Sequence, residues 1–364
     1  MGDLFEVLSS KKRFDANKVT LVRHGGFPYI VRQSINNGQK GFIREDVKYL
    51  NEGNTISFGQ DTATIFYQEK PYFTGDKIKI LRPRDTRFGK HNAQFFLACM
   101  RKSFCNFAWG NQSFSKDVIS GQTIYLPQTQ QGDINFAFME KNVRELEESR
   151  LHELEAYLCA TGLTNYTLTP DEEATIDNIP NLRWQQYRIG VLFEKIKTNK
   201  LPYKAKELPK TPTDNYILPC LTSSFMNQGL NYYVPKEGAT IVRNVISIPS
   251  NSDVYRAYYQ SHEFTVLSDA YTIRWIYDNS KVTSKQYLFM VTCINEVTDL
   301  PIYSYKNKLG GWKVVKEKFI TLPSTIDGKP DLAIMETLVS AVQKMVIKDV
   351  VLYADHRLGV TNKL

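Results

Sequence analysis

Few of the residue types that perform catalysis stand at spacings that would let them act together. The histidines, His24, His91, His152, His262 and His356, are isolated from one another, and each reads as a surface or packing residue rather than a ligand. Cys99, Cys105, Cys159, Cys220 and Cys293 form no CxxC pair able to grip zinc and read as small buried hydrophobes. No GxxxxGK[ST] phosphate loop, GxGxxG, HExxH or GxSxG elbow is present. NIPN (178–181) lacks the second proline and the aromatic residue of an Asn-Pro-Pro-Tyr motif, and neither Pro170-Asp171 nor Pro330-Asp331 is followed by a suitably spaced Asp/Glu-x-Lys. What remains is hydrogen-bonding chemistry. RQSINNGQK (32–40), AWGNQSFSK (108–116), TSSFMNQGLN (222–231) and YSYKNKLGGWK (303–313) concentrate amides, hydroxyls, cations and aromatic rings. Such groups recognise ligands, although Asn-Gly and Asn-Gln-Gly are also ordinary turn formers.

These loops sit in a sequence that is written twice. YLPQTQQGDINFAFMEKNV from Tyr125 and TLPSTIDGKPDLAIMETLV from Thr321 share Leu-Pro, a Gly connector and an apolar stripe into Met-Glu at a constant offset of 196 residues. The offset persists upstream, where 107–127 lies against 303–323 without a gap. Earlier, FPYIVRQSINNGQKGFI (27–43) matches LPCLTSSFMNQGLNYYV (218–234), EGNTIS (52–57) matches EGATIV (237–242), FYQ (66–68) matches YYQ (258–260), and LFE occurs at 4–6 and 192–194. The order is the same throughout, so the chain reads as two diverged copies of one domain rather than a short-period solenoid, whose repeats run to roughly 20–50 residues.

Composition fits that reading. A chain of 364 residues accommodates two domains with full cores. No apolar run approaches the roughly 20 residues needed to span a bilayer, and the N-terminus lacks a hydrophobic signal core, so the expectation is a cytoplasmic protein without membrane partners. A formal charge of +8 suits a polyanionic partner, and because MEKNVRELEESRLHELE (139–155) is acidic the positive excess lies elsewhere. EKIKTNKLPYKAKELPK (194–210) reads either as a phosphate-contacting stretch or as a solvated loop.

Each copy begins with short alternating runs, such as NTISFG, ATIFYQ and DKIKIL, punctuated by Gly turns. A helical period follows at 92–104 and at 284–297, then an aromatic, Lys-rich loop, a last strand ending in Leu-Pro, and a terminal helix. The terminal helices, about 134–159 and 332–352, carry apolar stripes that would serve to pack on each other, on a partner, or on their own sheets. TGLTNYTLTPDEEATIDNIPN (161–181) reads as a linker. The fold class is α+β with mainly antiparallel sheets.

The run of Pro-Tyr-Ile, Asn-Gly, NEGNTISFGQ, PYFTGD and IYLP before a helix resembles the target recognition domains of restriction–modification specificity subunits, of the type I HsdS and type IIB BcgI-like kinds. The first copy matches more closely; the second has IVRNVISI where the first has ISFGQDTA. The resemblance implies a first recognition domain at 1–130, a spacer helix at 131–160, a linker at 161–181, a second recognition domain at 182–325, and a second spacer helix and tail at 326–364. It implies a noncatalytic subunit that reads a bipartite site in double-stranded DNA. Its helices would dock a methyltransferase or a fused methyltransferase–nuclease subunit, and the partner would hold S-adenosylmethionine and Mg. The helices favour the BcgI-like reading because they are shorter than those of type I subunits. Copy two carries LRWQQYRIG ahead of VLFE where copy one starts at Met1-Gly2, which suggests a trimmed first domain or the recognition portion of a longer fused enzyme.

Under that resemblance the loop side chains acquire roles. Asn and Gln pair bidentately with adenine, Arg and Lys with guanine, and Ser and Thr hold phosphates. The first copy offers Arg32, Ser34, Asn36, Asn37, Gln39, Lys40, Gln60, Thr62, Trp109, Asn111, Gln112 and Lys116. The second offers Ser223, Ser224, Asn227, Gln228, Asn231, Arg243, Asn244, Tyr305, Lys306, Asn307, Lys308, Trp312 and Lys313. A second class of reading stays open at this point: a repeated-domain protein whose Tyr/Trp-rich loops bind glycan or protein, its charge incidental.

Overall fold

The computed structural model describes residues 1–105 and 115–361. The chain folds into two compact units, Met1–Tyr157 with the chain end from Arg357, and Leu158–His356. The first unit forms β1 (Phe5–Ser9), β2 (Phe27–Ile30), β3 (Gln39–Ile43), β4 (Thr55–Gly59), β5 (Thr64–Gln68), β6 (Phe73–Thr74) and β7 (Ile78–Pro83), then α1 (Ala93–Ser103), α2 (Lys116–Gly121) and α3 (Phe136–Thr161). Its main sheet, in the order β1-β7-β4-β5, is antiparallel. A smaller sheet, β3-β2-β6, pairs β2 with β6 in parallel. β4 is buried along its whole length because the sheet is covered on both faces, so its core positions Ile56 and Phe58 are fully enclosed with Phe5, Leu81, Phe96 and Met100.

The second unit repeats this plan. It contains α4 (Pro170–Asp177), β8 (Trp184–Arg188), α5 (Ile189–Leu192), β9 (Phe193–Lys195), β10 (Leu218–Leu221), β11 (Leu230–Val234), β12 (Val245–Pro249), β13 (Tyr258–Gln260), β14 (Thr265–Val266), β15 (Ala270–Trp275), α6 (Ser284–Thr298), α7 (Trp312–Val315), β16 (Phe319–Pro323) and α8 (Leu332–Thr361). The sheets run β9-β15-β12-β13 and β11-β10-β14, strand for strand the order of the first unit, including the one parallel pair.

The duplicated Leu-Pro to Met-Glu phrase specifies a turn and a helix start. Gly132 (φ +89°) and Gly328 (φ +73°) occupy the left-handed region, where a side chain would be strained. Around them Asn135 N donates to Pro127 O at 2.9 Å and Asp331 N to Pro323 O at 2.8 Å. Asn135 then caps α3 by accepting from Phe138 N (3.0 Å), as Asp331 caps α8 through Ile334 N (3.1 Å). Met139 and Met335 are completely buried in the two cores. Glu140 accepts from Asn92 Nδ2 at the start of α1 (3.1 Å), and Glu336 accepts from Thr283 Oγ1 and Gln286 Nε2 at the start of α6. Each terminal helix is thereby pinned to the helix that covers its sheet.

Four expectations are corrected. EGATIV is not the counterpart of EGNTIS: Asn244–Pro249 is the strand that matches Asn54–Gly59. Asn54 (φ +52°) and Asn244 (φ +53°) form the same left-handed turn, and each accepts from a tyrosine hydroxyl, Tyr67 at 3.0 Å and Tyr259 at 2.9 Å. The last strand forms in copy two only. There β16 pairs with β8 from Phe319↔Arg188 to Pro323↔Trp184, whereas among the described residues no strand lies opposite 123–127 and Tyr125 is 89% exposed. The 161–181 stretch holds α4, which begins with a full capping box, Thr169 with Glu172, and Pro170 in the first turn. Of the cysteines only Cys220 is fully buried; Cys105 and Cys159 are exposed.

Candidate nucleic-acid interface

In the first unit the loop from β2 to β3 runs beside edge strand β5. Its turn places Asn36, Asn37 and Gly38 consecutively at positive φ, a strained run that the surroundings must hold. Gln68, buried on β5, does so by donating Nε2 to Asn37 O (3.1 Å) and to Ser57 Oγ (3.0 Å). The Asn37 amide donates back to Tyr67 O at 2.9 Å, and Asn36 Nδ2 donates to Gln39 O at 2.9 Å. At the other end of the loop Arg32 is paired with Asp61 in the β4–β5 turn, and Lys77 donates to the same carboxylate at 2.9 Å. Thr62, exposed in that turn, shares a hydrogen bond with Thr64 (2.9 Å), and Gln60 is partly buried beside it.

Beside this loop lies an open concavity of about 840 Å³ lined by Arg13, Asp15, Asn17, Arg32, Thr62 and Asp76. Its wall from 13 to 17 is held by buried Tyr29, whose hydroxyl donates to Phe14 O at 2.7 Å. Burial, and then the charge of Asp15, push that phenol up to about 12. Lys79 is held below the usual ammonium range, first by burial and then by Lys116 and Arg13, and Arg13 is itself paired with Asp76 at 3.2 Å. Lys116 and Ser34 are exposed, and Lys40 Nζ donates to Ala16 O at 3.0 Å. Trp109, Asn111 and Gln112 lie outside the described residues.

The second unit builds the corresponding loop with other side chains. Asn227, Gln228 and Gly229 take the three positive-φ positions, and Gln260 Nε2 donates to Gln228 O and Ser247 Oγ, both at 3.0 Å. Where the first unit uses an Arg–Asp pair, Ser252 Oγ donates to Ser223 O at 2.7 Å. Ser224 Oγ accepts from Met226 N, and Asn231 Nδ2 donates to Thr222 Oγ1 at 2.9 Å. Arg243 is exposed near Glu263, whose carboxyl is held low first by Lys236.

In the loop before α7, Asn307 Nδ2 donates to Ile302 O (2.8 Å) and Lys308 lies over the Tyr305 ring at 5.0 Å. Lys306 and Lys313 point to solvent, while Trp312 packs against the core and Tyr271. The structure thus brings the two turn loops into equivalent places and gives several of their amides, including Asn36, Asn37 and Asn231, partners within the fold. Arg13, Lys79 and Asp61 are the groups that sequence reasoning missed; they lie far apart in the chain, and no local pattern marks them.

The family model for the type I restriction modification DNA specificity domain matches residues 1–156 and 181–351. The chain is 22% identical over 354 residues, 95% of its own length and 94% of the relative's, to the type II restriction enzyme specificity subunit S.BcgI of Heyndrickxia coagulans. Its fold is similar to the type I restriction–modification system S subunit from M. genitalium, with a TM-score of 0.52 and 12% identity over 99% of this chain and 91% of that one. Among the described residues no helix is long and apolar enough to cross a membrane.

Proposed function

This chain belongs to the type I restriction modification DNA specificity domain family and is a specificity subunit of a restriction–modification system, and on that footing we propose that each copy reads one half of a bipartite duplex site. The observation that carries the proposal is the duplicated scaffold: two sheets of identical strand order each hold a strained, amide-rich turn by the same Gln–Ser network. A bipartite site needs two such readers, and different loop residues on each allow two different half-sites. The exposed Arg13 and Lys116 of the first unit and the exposed Lys306, Lys308 and Lys313 of the second supply phosphate contacts.

The terminal helices dock the catalytic subunit, a methyltransferase or methyltransferase–nuclease, in a cytoplasmic complex. Exposed Val342, Met345, Val346 and Tyr353 on α8 and Phe138 and Leu146 on α3 give that docking an apolar component. S-adenosylmethionine and Mg belong to that partner, and this chain positions the target without performing chemistry. The test is a gel shift on a random duplex pool, with and without the partner subunit, followed by sequencing of the bound fraction. A bipartite consensus is the expected result. Binding without sequence preference, or methyl transfer by the isolated chain, overturns the proposal.

A further inference from the structure

The polar loop residues are flanked in both units by apolar side chains that the fold leaves in water, Ile35 in the first and Met226 with the adjacent Phe225 (50% exposed) in the second. Ile35 is 70% exposed and Met226 is 64% exposed. They are equivalent: each immediately precedes the three-residue positive-φ turn, Asn36-Asn37-Gly38 in one unit and Asn227-Gln228-Gly229 in the other. Single exposed hydrophobics are common and mean little alone. Here the exposure recurs at one structural position in two copies whose surrounding loop sequences have diverged, and it recurs on backbone that is costly to hold. Gln228 at φ +53° is a conformation that side chains other than Asn and Gly seldom adopt. Each turn is clamped from beneath by a buried glutamine, Gln68 or Gln260, and further from its other end by Arg32–Asp61 or Ser252–Ser223. An apolar tip on a clamped turn is built to meet an apolar group at a fixed place.

In a duplex the base edges of the major groove present hydrogen-bonding groups and a single apolar one, the thymine methyl. Resting on the DNA-reading role proposed above, we infer that Ile35 and Met226 each cover the 5-methyl group of a thymine, one in each half-site, and so specify an A·T pair there. Insertion as a wedge between base pairs is disfavoured for Ile35, because Ser34 and Asn36 on either side are polar and exposed and would be carried into the stack. The neighbouring amides then read the adjacent hydrogen-bonding edges, and the strain of the turn is the cost of fixing the methyl contact in register with them.

The experiment uses the full chain assembled with its methyltransferase subunit and the duplex selected from a random pool. Each thymine of both half-sites is replaced in turn by uracil, which lacks only the methyl group. The wild-type complex should lose about fourfold in affinity at one position in each half-site, the worth of burying one methyl group. Ile35→Ser should lose about as much on the thymine duplex and become indifferent to uracil at one of those positions; Met226→Ser should do the same in the other half-site. Both side chains are exposed, so the melting temperatures should not move, which separates contact from folding. The inference is overturned by uracil insensitivity of the wild-type complex, by a half-site lacking any A·T pair, or by variants that retain uracil sensitivity. Those outcomes leave sequence-specific binding intact, whereas absence of any selected duplex removes the DNA-reading proposal and this inference together.

Discussion

The two copies hold the same loop in the same place, one with charge and one without. In copy one Arg32 and Lys77 converge on Asp61; in copy two a serine hydroxyl and a backbone carbonyl meet at the corresponding position. In copy one a buried tyrosine ties down the 13–17 wall, whereas its counterpart in copy two is Cys220, whose buried thiol is pushed up to about 12 and anchors no loop. Yet the strand order, the parallel pair, the Gln–Ser clamp and the Met-Glu helix anchor are unchanged. Backbone position is therefore the invariant and its surroundings vary, which is what the proposed reading of two different half-sites requires.

Disrupting the shared part should do the most damage. Met139→Ala and Met335→Ala each remove a fully buried side chain and should each cost about 2–5 kcal/mol, in unfolding transitions monitored in denaturant. Loss in one copy only would show that the anchor is not equivalent.

A second test concerns a feature peculiar to copy two. Burial opposes ionisation of Glu172, but Lys344 Nζ at 2.8 Å, the Thr169 amide and Ser340 bring its carboxyl down to about 2. A depressed carboxyl adds stability that is present above its ordinary value of 4.5 and is lost as pH falls toward 2. The shift corresponds to about 3 kcal/mol. Glu172→Gln should flatten that acid limb of the stability profile, and an unchanged limb would break the assignment.

Next come the loops. Lys306→Ala or Lys308→Ala should weaken binding on all sequences and lower the logarithmic salt slope by roughly 0.9 each. Asp61→Asn, which releases Arg32 and Lys77, should change preference in the first half-site alone, by about 1–3 kcal/mol of discrimination. Substitution of Asn37, Gln39 or Gln60 should likewise act on one half-site, as read by selection from a random pool. Mutants in either copy that keep wild-type affinity and preference at both half-sites would sink the assignment of these loops.

The duplication, the α+β class and the helix anchors were legible in the amino-acid order alone, because they rest on short-range signals: alternation, caps, obligatory glycines and a recurring Met-Glu. Even α4 was written there, since Thr169-Pro170 with Glu172 is a capping box that a Thr- and Asp-rich context disguised as a linker. Three things were settled only when distant segments came together. NVISIP, not EGATIV, became the counterpart of NTISFG, because register is set by cross-strand partners such as Tyr67 and Tyr259 rather than by shared letters. Among the described residues TIYLP pairs with no strand while FITLP pairs with β8, because a strand exists only where another chain segment lies beside it. And the amides of Asn36 and Asn37, exposed as they are, donate to backbone carbonyls of the fold while Ile35 stays in water, because a strained turn spends its amides on holding itself and offers outward whatever precedes it.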